Sequence, residues 1–359
     1  MKLQVLEPAH PLWVETVRTL RHDIFHLPQY VSLEAKRCGA TPEAILLEEG
    51  DCIFFLPYLL RHCNDVADGE AIPDLFDVVS PNGYAGILLN QAALEQPEFI
   101  SAAMEQIIQF FGDRRICSAF LRLHPIINQG FHEIYSSEAC TANVETVMID
   151  LTPSETEMQK QIRHGFREVI KKRKREGYVT KMQSLLGYVD VFNSIYEETM
   201  DRVGAAKSFY FGHDYFYQLA EELGEHLHLG VVELEGQVIC VALYTECCGI
   251  VQYHLSGTKT EFVRQSPSVL LNDYVRFWAK ERGNKVMHLG GGVGGAKDSL
   301  FHFKAGFSPL TCRLPVLRLI TNPQEYRRLV ELHAQGLRTS VEQLVETNFF
   351  PAYRSPLRV

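Results

Sequence analysis

Between Gly249 and Pro309 the spacing of apolar positions switches between two periods and spells out strand, helix, strand, helix. Val251, Tyr253 and Leu255 alternate with Gln252, His254 and Ser256, the two-residue period of a half-buried strand, and Gly257 ends it. After Pro267, Val269, Leu270, Val275, Phe277 and Trp278 form a broad helical face, with Gly283 placed as a C-cap glycine. Val286, Met287 and Leu289 make a short buried strand that runs into glycines, and a second helix opens at Lys297 or Asp298 with Leu300, Phe303 and Phe307 on one side. Such a crossover unit binds ligands where its strand ends open toward the loops. The polar gap from Arg264 to Ser268, ahead of the first helix, is where a nucleotide-type ligand would be gripped.

The same order is legible earlier in the chain. A helix is expected near Leu12 to Phe25, then a hairpin from Ala44 turning at Glu49-Gly50, and a linker holding Asp68-Gly69 and Pro73. A strand within DLFDVVSPNGYAGILLN, an amphipathic helix from Pro97 to Gly112 and a strand at RICSAFLRLHPI follow. Helices around Val189–Val203 and Asp214–Leu223 lead into a second hairpin, which turns at Glu235-Gly236 as the first turns at Glu49-Gly50. The pattern repeats although the residues do not. It predicts two tandem α/β units with mixed central sheets, 1–146 and 147–359, the second carrying a C-terminal helix over Gln324–Val345 and a final strap.

The second unit opens on a helix with a capping box, Thr152 as N-cap, Pro153 at the first helical position and Glu155 as the acidic partner. Met158, Ile162, Phe166, Val169 and Ile170 form its apolar face. Beside them Arg163, Arg167, Lys171 and Arg175 recur at four-residue spacing, so like charges line one side and disfavour each other by a few tenths of a kcal/mol per pair. Such a row suits a polyanion; the plainer reading is a solvated face whose late charges suit the helix C-terminus.

Composition narrows the classes. A length of 359 residues, 46% hydrophobic and 22% charged, is that of an ordinary globular protein with room for two cores. A net charge of −9 argues against a protein that coats DNA, so any polyanion must be met locally. Nine cysteines with no CxxC pair read as reduced thiols of a cytoplasmic protein, Cys247 and Cys248 on opposite faces of a strand. No signal peptide and no transmembrane run is legible. His288, His302 and Cys312 have metal-ligating chemistry without a recognisable spacing, so no metal site is expected.

The glycines of LGGGVGG lack the Lys-Ser/Thr of a Walker loop and the helix-opening GxGxxG of a dinucleotide site, so nucleotide hydrolysis and hydride transfer are poorly supported. The order hairpin, strand, helix, strand, helix is that of the GNAT acyltransferase unit. More specifically, the chain resembles the Fem family of peptidoglycan-bridge aminoacyltransferases, which carry two such units in tandem. Ser80-Pro81-Asn82-Gly83-Tyr84-Ala85-Gly86 is similar to the family's S-P-x-G-Y-G-G and Phe303-Lys304-Ala305-Gly306-Phe307 to its F-K-x-x-F. Ala85 replaces a glycine, Ile87 stands where proline is common, and there is no room for the helical arm of some members.

The resemblance implies transfer of an aminoacyl group from aminoacyl-tRNA to an amine of a cell-envelope precursor or peptide, across an acceptor cleft between or beside the units. No cofactor is implied, since the donor is a co-substrate. Arg163, Arg167, Lys171 and Arg175 are then candidate tRNA contacts, and Arg264, Ser266 and Ser268 candidate phosphate contacts. Arg264-Gln265-Ser266-Pro267-Ser268 lacks the glycines of a coenzyme A pyrophosphate loop, and its proline removes one amide donor. Lys304 matches the motif lysine and is the candidate oxyanion partner; a lysine snorkelling beside core Phe303 and Phe307 is the plainer reading. His254 is the base on chemistry alone, with Tyr253 on the opposite face of the same strand, so that only one lines the cleft. Asn82 and Tyr84 belong to the acceptor-side wall, Asp77 joins them with less support, and Asp298 either orients Lys304 or caps its own helix. Two other readings stay open: acyl-CoA-dependent N-acylation of an amino sugar in surface-polysaccharide synthesis, and a non-catalytic GNAT-like scaffold.

Overall fold

A computed structural model describes residues 1–66 and 74–356. The expected linker at Asp68-Gly69 and Pro73 lies outside the described residues. The chain divides into two compact units, one of residues 1–143 with 314–359 and the other of residues 144–313.

The first unit runs β1 (Lys2–Leu6), α1 (Pro11–Thr19), α2 (Pro28–Cys38), β2 (Thr41–Glu49), β3 (Cys52–His62), β4 (Phe76–Val79), β5 (Leu88–Leu89), α3 (Gln91–Leu94), α4 (Pro97–Asp113), β6 (Ile116–Arg122) and α5 (Phe131–Ile134). Sequence periodicity gives the hairpin β2–β3, α4 and β6, but it extends the first helix over the turn Ile24–His26 and misses α2. Strands β1 to β4 pair antiparallel in sequence order, and β6 lies parallel to β4, as a crossover through α4 requires. Alternation along β2 and β3 sends Ile45, Leu47, Phe54 and Leu56 to one face, where Phe99, Met104, Ile107 and Phe111 of α4 cover them. Leu46, Phe55 and Leu59 go to the other, under Trp13, Val17 and Val31. Each such buried side chain contributes about 1.5–3 kcal/mol.

The second unit runs β7 (Cys140–Asp150), α6 (Glu155–Gln161), α7 (His164–Arg175), β8 (Val179–Gln183), α8 (Val189–Val203), α9 (His213–Leu223), β9 (Leu227–Leu234), β10 (Gln237–Cys247), β11 (Ile250–Thr258), α10 (Pro267–Glu281), β12 (Val286–Gly290) and α11 (Ser299–Lys304). Its strand order is β7-β12-β11-β10-β9-β8, with β11 and β12 parallel and joined through α10. The arrangement of strand, two helices, antiparallel strands and a parallel crossover repeats that of the first unit, as the sequence pattern predicts. The single helix expected after Thr152 is two helices. Ser154, not Thr152, caps α6 in a capping box with Glu157, and the chain breaks at Ile162 before α7. The buried Arg276 of α10 fastens this segment, pairing with Asp273 at 2.6 Å and donating to the Met158 carbonyl at 2.9 Å.

The last elements are β13 (Thr311–Ile320), α12 (Pro323–Leu337) and α13 (Val341–Glu346). The C-terminal helix and strap, expected with the second unit, fold onto the first. Val316–Ile320 pairs antiparallel with β6, and Leu329, Val330, Leu344 and Tyr353 pack with Cys63, Leu75 and Cys117. Arg338, in the left-handed region at φ 53°, splits the single helix predicted over Gln324–Val345.

Candidate active site

The second unit's sheet opens where β11 and β12 part. Their parallel pairing runs Ile250–Val286, Val251–Met287 and Gln252–His288 and goes no further, although β11 continues to Thr258. A bulge on each strand accounts for this. Against β10, the register slips so that Leu255 faces Leu243 and Tyr253 faces Tyr244, leaving His254 as the extra residue. Against β7, His288 faces Met148 but Gly290 faces Val147, leaving Leu289 extra. A bulge bends its strand and sharpens its twist, so two bulges just past one rung drive the strands apart. The opening faces the carboxyl ends, the ligand side of a crossover unit.

The last rung is pinned by side chains. Buried His288 bonds Gln252 Oε1 through Nδ1 at 2.6 Å and Thr146 Oγ1 through Nε2 at 2.9 Å, and Thr146 Oγ1 lies 3.2 Å from the Cys312 carbonyl. His288 and Cys312 are thus joined through a threonine in the sheet. A histidine two residues before the glycine run is the only trace of this network in the sequence.

Lys304 stands on the β12 side. It is 9% exposed, and Nζ donates to the Gly291 carbonyl at 2.7 Å. An ammonium has three donors, so this bond leaves two for a ligand. Burial lowers its pKa to about 8, with Asp298 partly restoring it. Phe303 and Phe307, in contact with Phe166, hold the flanks of α11, and a Cβ at Gly306 would meet the Phe166 ring at 2.3 Å. Of the predicted apolar side of α11, Phe307 is buried while Leu300 is exposed and Phe301 takes its place.

Asp298 is the N-cap of α11, accepting from Phe301 N at 2.9 Å, and it also accepts from Val293 N at 3.0 Å. These backbone bonds hold its carboxyl below the usual range. A carboxylate therefore occupies an amide of the glycine loop that a phosphate would use. A Cβ at Gly292 would lie 2.0 Å from the Ala296 carbonyl, so that glycine serves the loop's close approach to itself.

On the β11 side Tyr253 is half-buried, with its ring 5.5 Å from Tyr244 and its hydroxyl donating to Ser256 Oγ at 2.7 Å. Burial pushes its pKa up to about 12, so it stays a neutral phenol at physiological pH. His254 is half-buried at the bulge. Tyr253 and His254 thus lie on β11 just past its last rung with β12, and Lys304, on α11, bonds the carbonyl that follows β12. Arg264, Ser266 and Ser268 lie on the segment that leads from β11 into α10, where Ser266 is left-handed at φ 54° and Pro267 contributes no N–H. Arg173 of α7 braces the segment by donating to the Gln265 carbonyl at 2.8 Å, a bond that spacing along α7 does not reveal.

The basic row divides. Arg163 is the N-cap of α7, donates to the His302 carbonyl at 3.2 Å and lies over Phe166, so it supports α11. Lys171 pairs with Glu168 at 3.1 Å, Arg167 is half-buried and Arg175 is exposed.

The first-unit candidates separate as well. Asp77 is fully buried and accepts from Arg61 at 2.7 Å, Arg354 at 2.5 Å and Tyr353 at 3.1 Å. It ties the C-terminal strap to β4, which corrects the acceptor-wall reading of this residue. Asn82 and Tyr84 do lie together on the Ser80–Gly86 loop. Tyr30 donates to the Asn82 carbonyl at 2.9 Å, and the Tyr84 ring packs edge-on to Phe25 at 5.9 Å. The loop's glycines answer to this packing: at Gly83, φ 95°, a Cβ would sit 2.2 Å from Phe25.

Residues 157–304 match the family model described as an acetyltransferase (GNAT) domain. The second unit therefore carries an acyltransferase domain of the GNAT type. Among solved structures the chain is similar to FemX, at 12% identity and a TM-score of 0.69, covering 91% of this chain and 99% of that one. It is also similar to the C-terminal domain of a putative lysylphosphatidylglycerol synthetase from Agrobacterium fabrum, at 13% identity and a TM-score of 0.53, covering 90% and 93%. L-PGS from Bacillus licheniformis matches at 13% identity and a TM-score of 0.51, covering 91% and 96%. These likenesses establish the fold. No curated protein sequence matches.

Proposed function

We propose that the protein is an aminoacyltransferase that forms an amide by moving an aminoacyl group from aminoacyl-tRNA to an amine of a cell-envelope precursor or peptide. The observation that carries this reading is Lys304, a buried ammonium at the mouth of the β11–β12 opening with two donors to spare. Attack of an amine on an ester carbonyl places negative charge on the carbonyl oxygen, and a cation fixed in a low-dielectric site stabilises that charge as it develops. The C–N bond forms and the C–O bond to the ribose breaks. The amine gives up a proton and the leaving alkoxide takes one, and the relay is whichever of His254 and the neutral Tyr253 phenol faces the cleft, accepting the first proton as it delivers the second.

Two features favour tRNA over acyl-CoA as donor. The start of α10 is poor in amide donors, with Ser266 N bonded to the Val263 carbonyl at 3.0 Å, Pro267 lacking its N–H and Val269 N bonded to the Ser266 carbonyl at 3.1 Å. Next to it, through Arg173, lies a helix whose last turn holds Lys172, Arg173, Lys174 and Arg175. The matched GNAT domain favours the second reading, acyl-CoA-dependent N-acylation of an amino sugar. Titration of the purified protein with acetyl-CoA and with a mixed aminoacyl-tRNA pool, at low and moderate salt, separates them. Saturable, salt-sensitive tRNA binding without CoA binding is the expected result; tight CoA binding with no tRNA binding overturns it. Turnover of neither donor with any amine would leave only the non-catalytic scaffold.

A further inference from the structure

The first unit holds an arginine that forms an ion pair with no carboxylate among the described residues. Arg37, Arg61 and Arg122 stand close enough to Cys38 to act on it electrostatically. Arg37 bonds Glu34 through Nε and Nη2, the latter at 2.6 Å, and Arg61 bonds Asp77 at 2.7 Å. Arg122 has no such partner there. Its Nη2 donates to the Pro81 carbonyl at 3.3 Å, and its buried Nε donates to nothing among the described residues. The nearby carboxylate, Glu34, is fully buried and already serves Arg37 and, at 3.4 Å, Asn82 N.

Taking a guanidinium out of water is unfavourable unless an anion and hydrogen bonds compensate. Here the compensation is one long bond to a carbonyl, together with the electrostatic influence of the Tyr84 and Tyr30 phenols and, more weakly, of Glu34. Burial lowers the pKa of Arg122, but arginine stays charged at any physiological pH. The Arg122 backbone N donates to Ser80 Oγ at 2.9 Å, so the residue is seated in the Ser80–Gly86 loop at both its backbone and its side chain. The residue as a whole is half-buried, while its Nε is buried. A planar fork that is partly desolvated, with its buried Nε unbonded and one Nη2 bond to a carbonyl, suits an oxyanion that accepts two parallel N–H bonds.

We propose that Arg122 is the anchor of an oxyanion-binding subsite in the first unit, beside Tyr84 and the Ser80–Gly86 loop, that takes a carboxylate or a phosphate. Its assignment to the acceptor rests on the transferase reading; the subsite itself does not. It makes the acceptor an anionic amine, one end fixed at Arg122 by charge and shape. It also gives the Ser80–Gly86 loop a chemical task beyond packing, since that loop supplies both the partner of Nη2 and the phenol of Tyr84.

The test observes the arginine itself. In the full-length, isotopically labelled protein, the Arg122 Nε–H resonance is assigned by its loss in Arg122→Lys. Inorganic phosphate and, separately, N-acetylalanine are titrated at ionic strength held constant with sodium chloride. A saturable shift with one anion and none with chloride is expected, and the anion that acts tells phosphate from carboxylate. Arg122→Lys, which keeps the charge and loses the fork, is expected to weaken that binding at least tenfold as read on neighbouring backbone amides. No shift with either anion, a shift that chloride reproduces, or unchanged affinity in Arg122→Lys overturns the proposal. None of these readouts involves turnover, so failure here leaves the acyl-transfer reading standing, and failure of that reading leaves this result standing.

Discussion

Lys304 shows how much one side chain owes to its surroundings. Sequence similarity picks out the residue, but its lowered pKa, its bond to Gly291 and its seat between Phe303 and Phe307 come from packing that a linear motif does not contain. Removing it in Lys304→Ala is expected to lower turnover by about two to three orders of magnitude, the usual cost of losing an oxyanion donor. Far-ultraviolet circular dichroism should stay unchanged, and normal turnover would reject the role. If the ammonium is the working form, activity falls as pH rises through about 8. Arginine does not titrate there, so whatever activity Lys304→Arg retains should lack that alkaline limb. Stability moves the other way. The folded pKa, about 8, lies below the ordinary 10.5, so between these values the unfolded chain binds more protons and stability rises with pH. Urea midpoints of the wild type and Lys304→Met at pH 7.5 and 10 measure the difference. The Lys304 contribution should be a few kcal/mol, and no pH-dependent difference between the two proteins would contradict its burial as a cation.

At the scale of elements, hydrophobic period reveals strands and helices far better than it reveals where they stop agreeing with each other. The alternation in β11 is clear in sequence, yet the bulges at His254 and Leu289 are invisible there, because a bulge is a relation between two strands. The order of elements implies an opening at this place; no single residue does. The capping box is displaced for a related reason: Thr152 and Ser154 are both acceptable caps, and only packing chooses between them. The helix α7 carries a test of its own. With Arg163 committed to α11 and Arg173 to the Gln265 carbonyl, a polyanion would meet Arg167 and Arg175 directly, and Lys171, Lys172 and Lys174 in exchange for their ion pairs with Glu168, Glu176 and Asp273. Replacing Arg167 and Lys171 by Glu should weaken tRNA binding and flatten the slope of log affinity against log salt, by roughly 0.7–0.9 for each phosphate that is no longer neutralised. Acetyl-CoA binding should not change. A second test at this scale is the close approach of α8 to β11, where a Cβ at Gly257 would lie 2.6 Å from the Ile195 carbonyl. Backbone cannot yield as a side chain can, so Gly257→Ala should cost about 1–3 kcal/mol in urea unfolding.

For the whole chain, the feature that sequence order conceals is the return of the C-terminus to the first unit. A linear reading assigns residues after 313 to the unit they follow, and no local pattern says otherwise; what decides is an edge of β6 that β13 completes and an apolar surface around Cys63, Leu75 and Cys117 that α12 and α13 cover. Charge then fastens the end of the chain. Asp77, buried in β4, meets Arg354 and Tyr353 across 277 and 276 positions of sequence, and Arg354 also bonds Asp65 at 2.7 Å. Removing one partner of such a buried pair leaves a charge without compensation, which typically costs about 3–5 kcal/mol. In Arg354→Ala the loss should fall toward the lower end, because Arg61 still engages Asp77 at 2.7 Å. Asp77→Ala strips both arginines at once and should cost more. The two readings of Asp77 are thereby separable: as a structural tie, its loss lowers the unfolding midpoint while kcat/KM of the remaining folded protein holds within a few-fold. A fall in kcat/KM of about a hundredfold with an unchanged midpoint would return Asp77 to the acceptor wall.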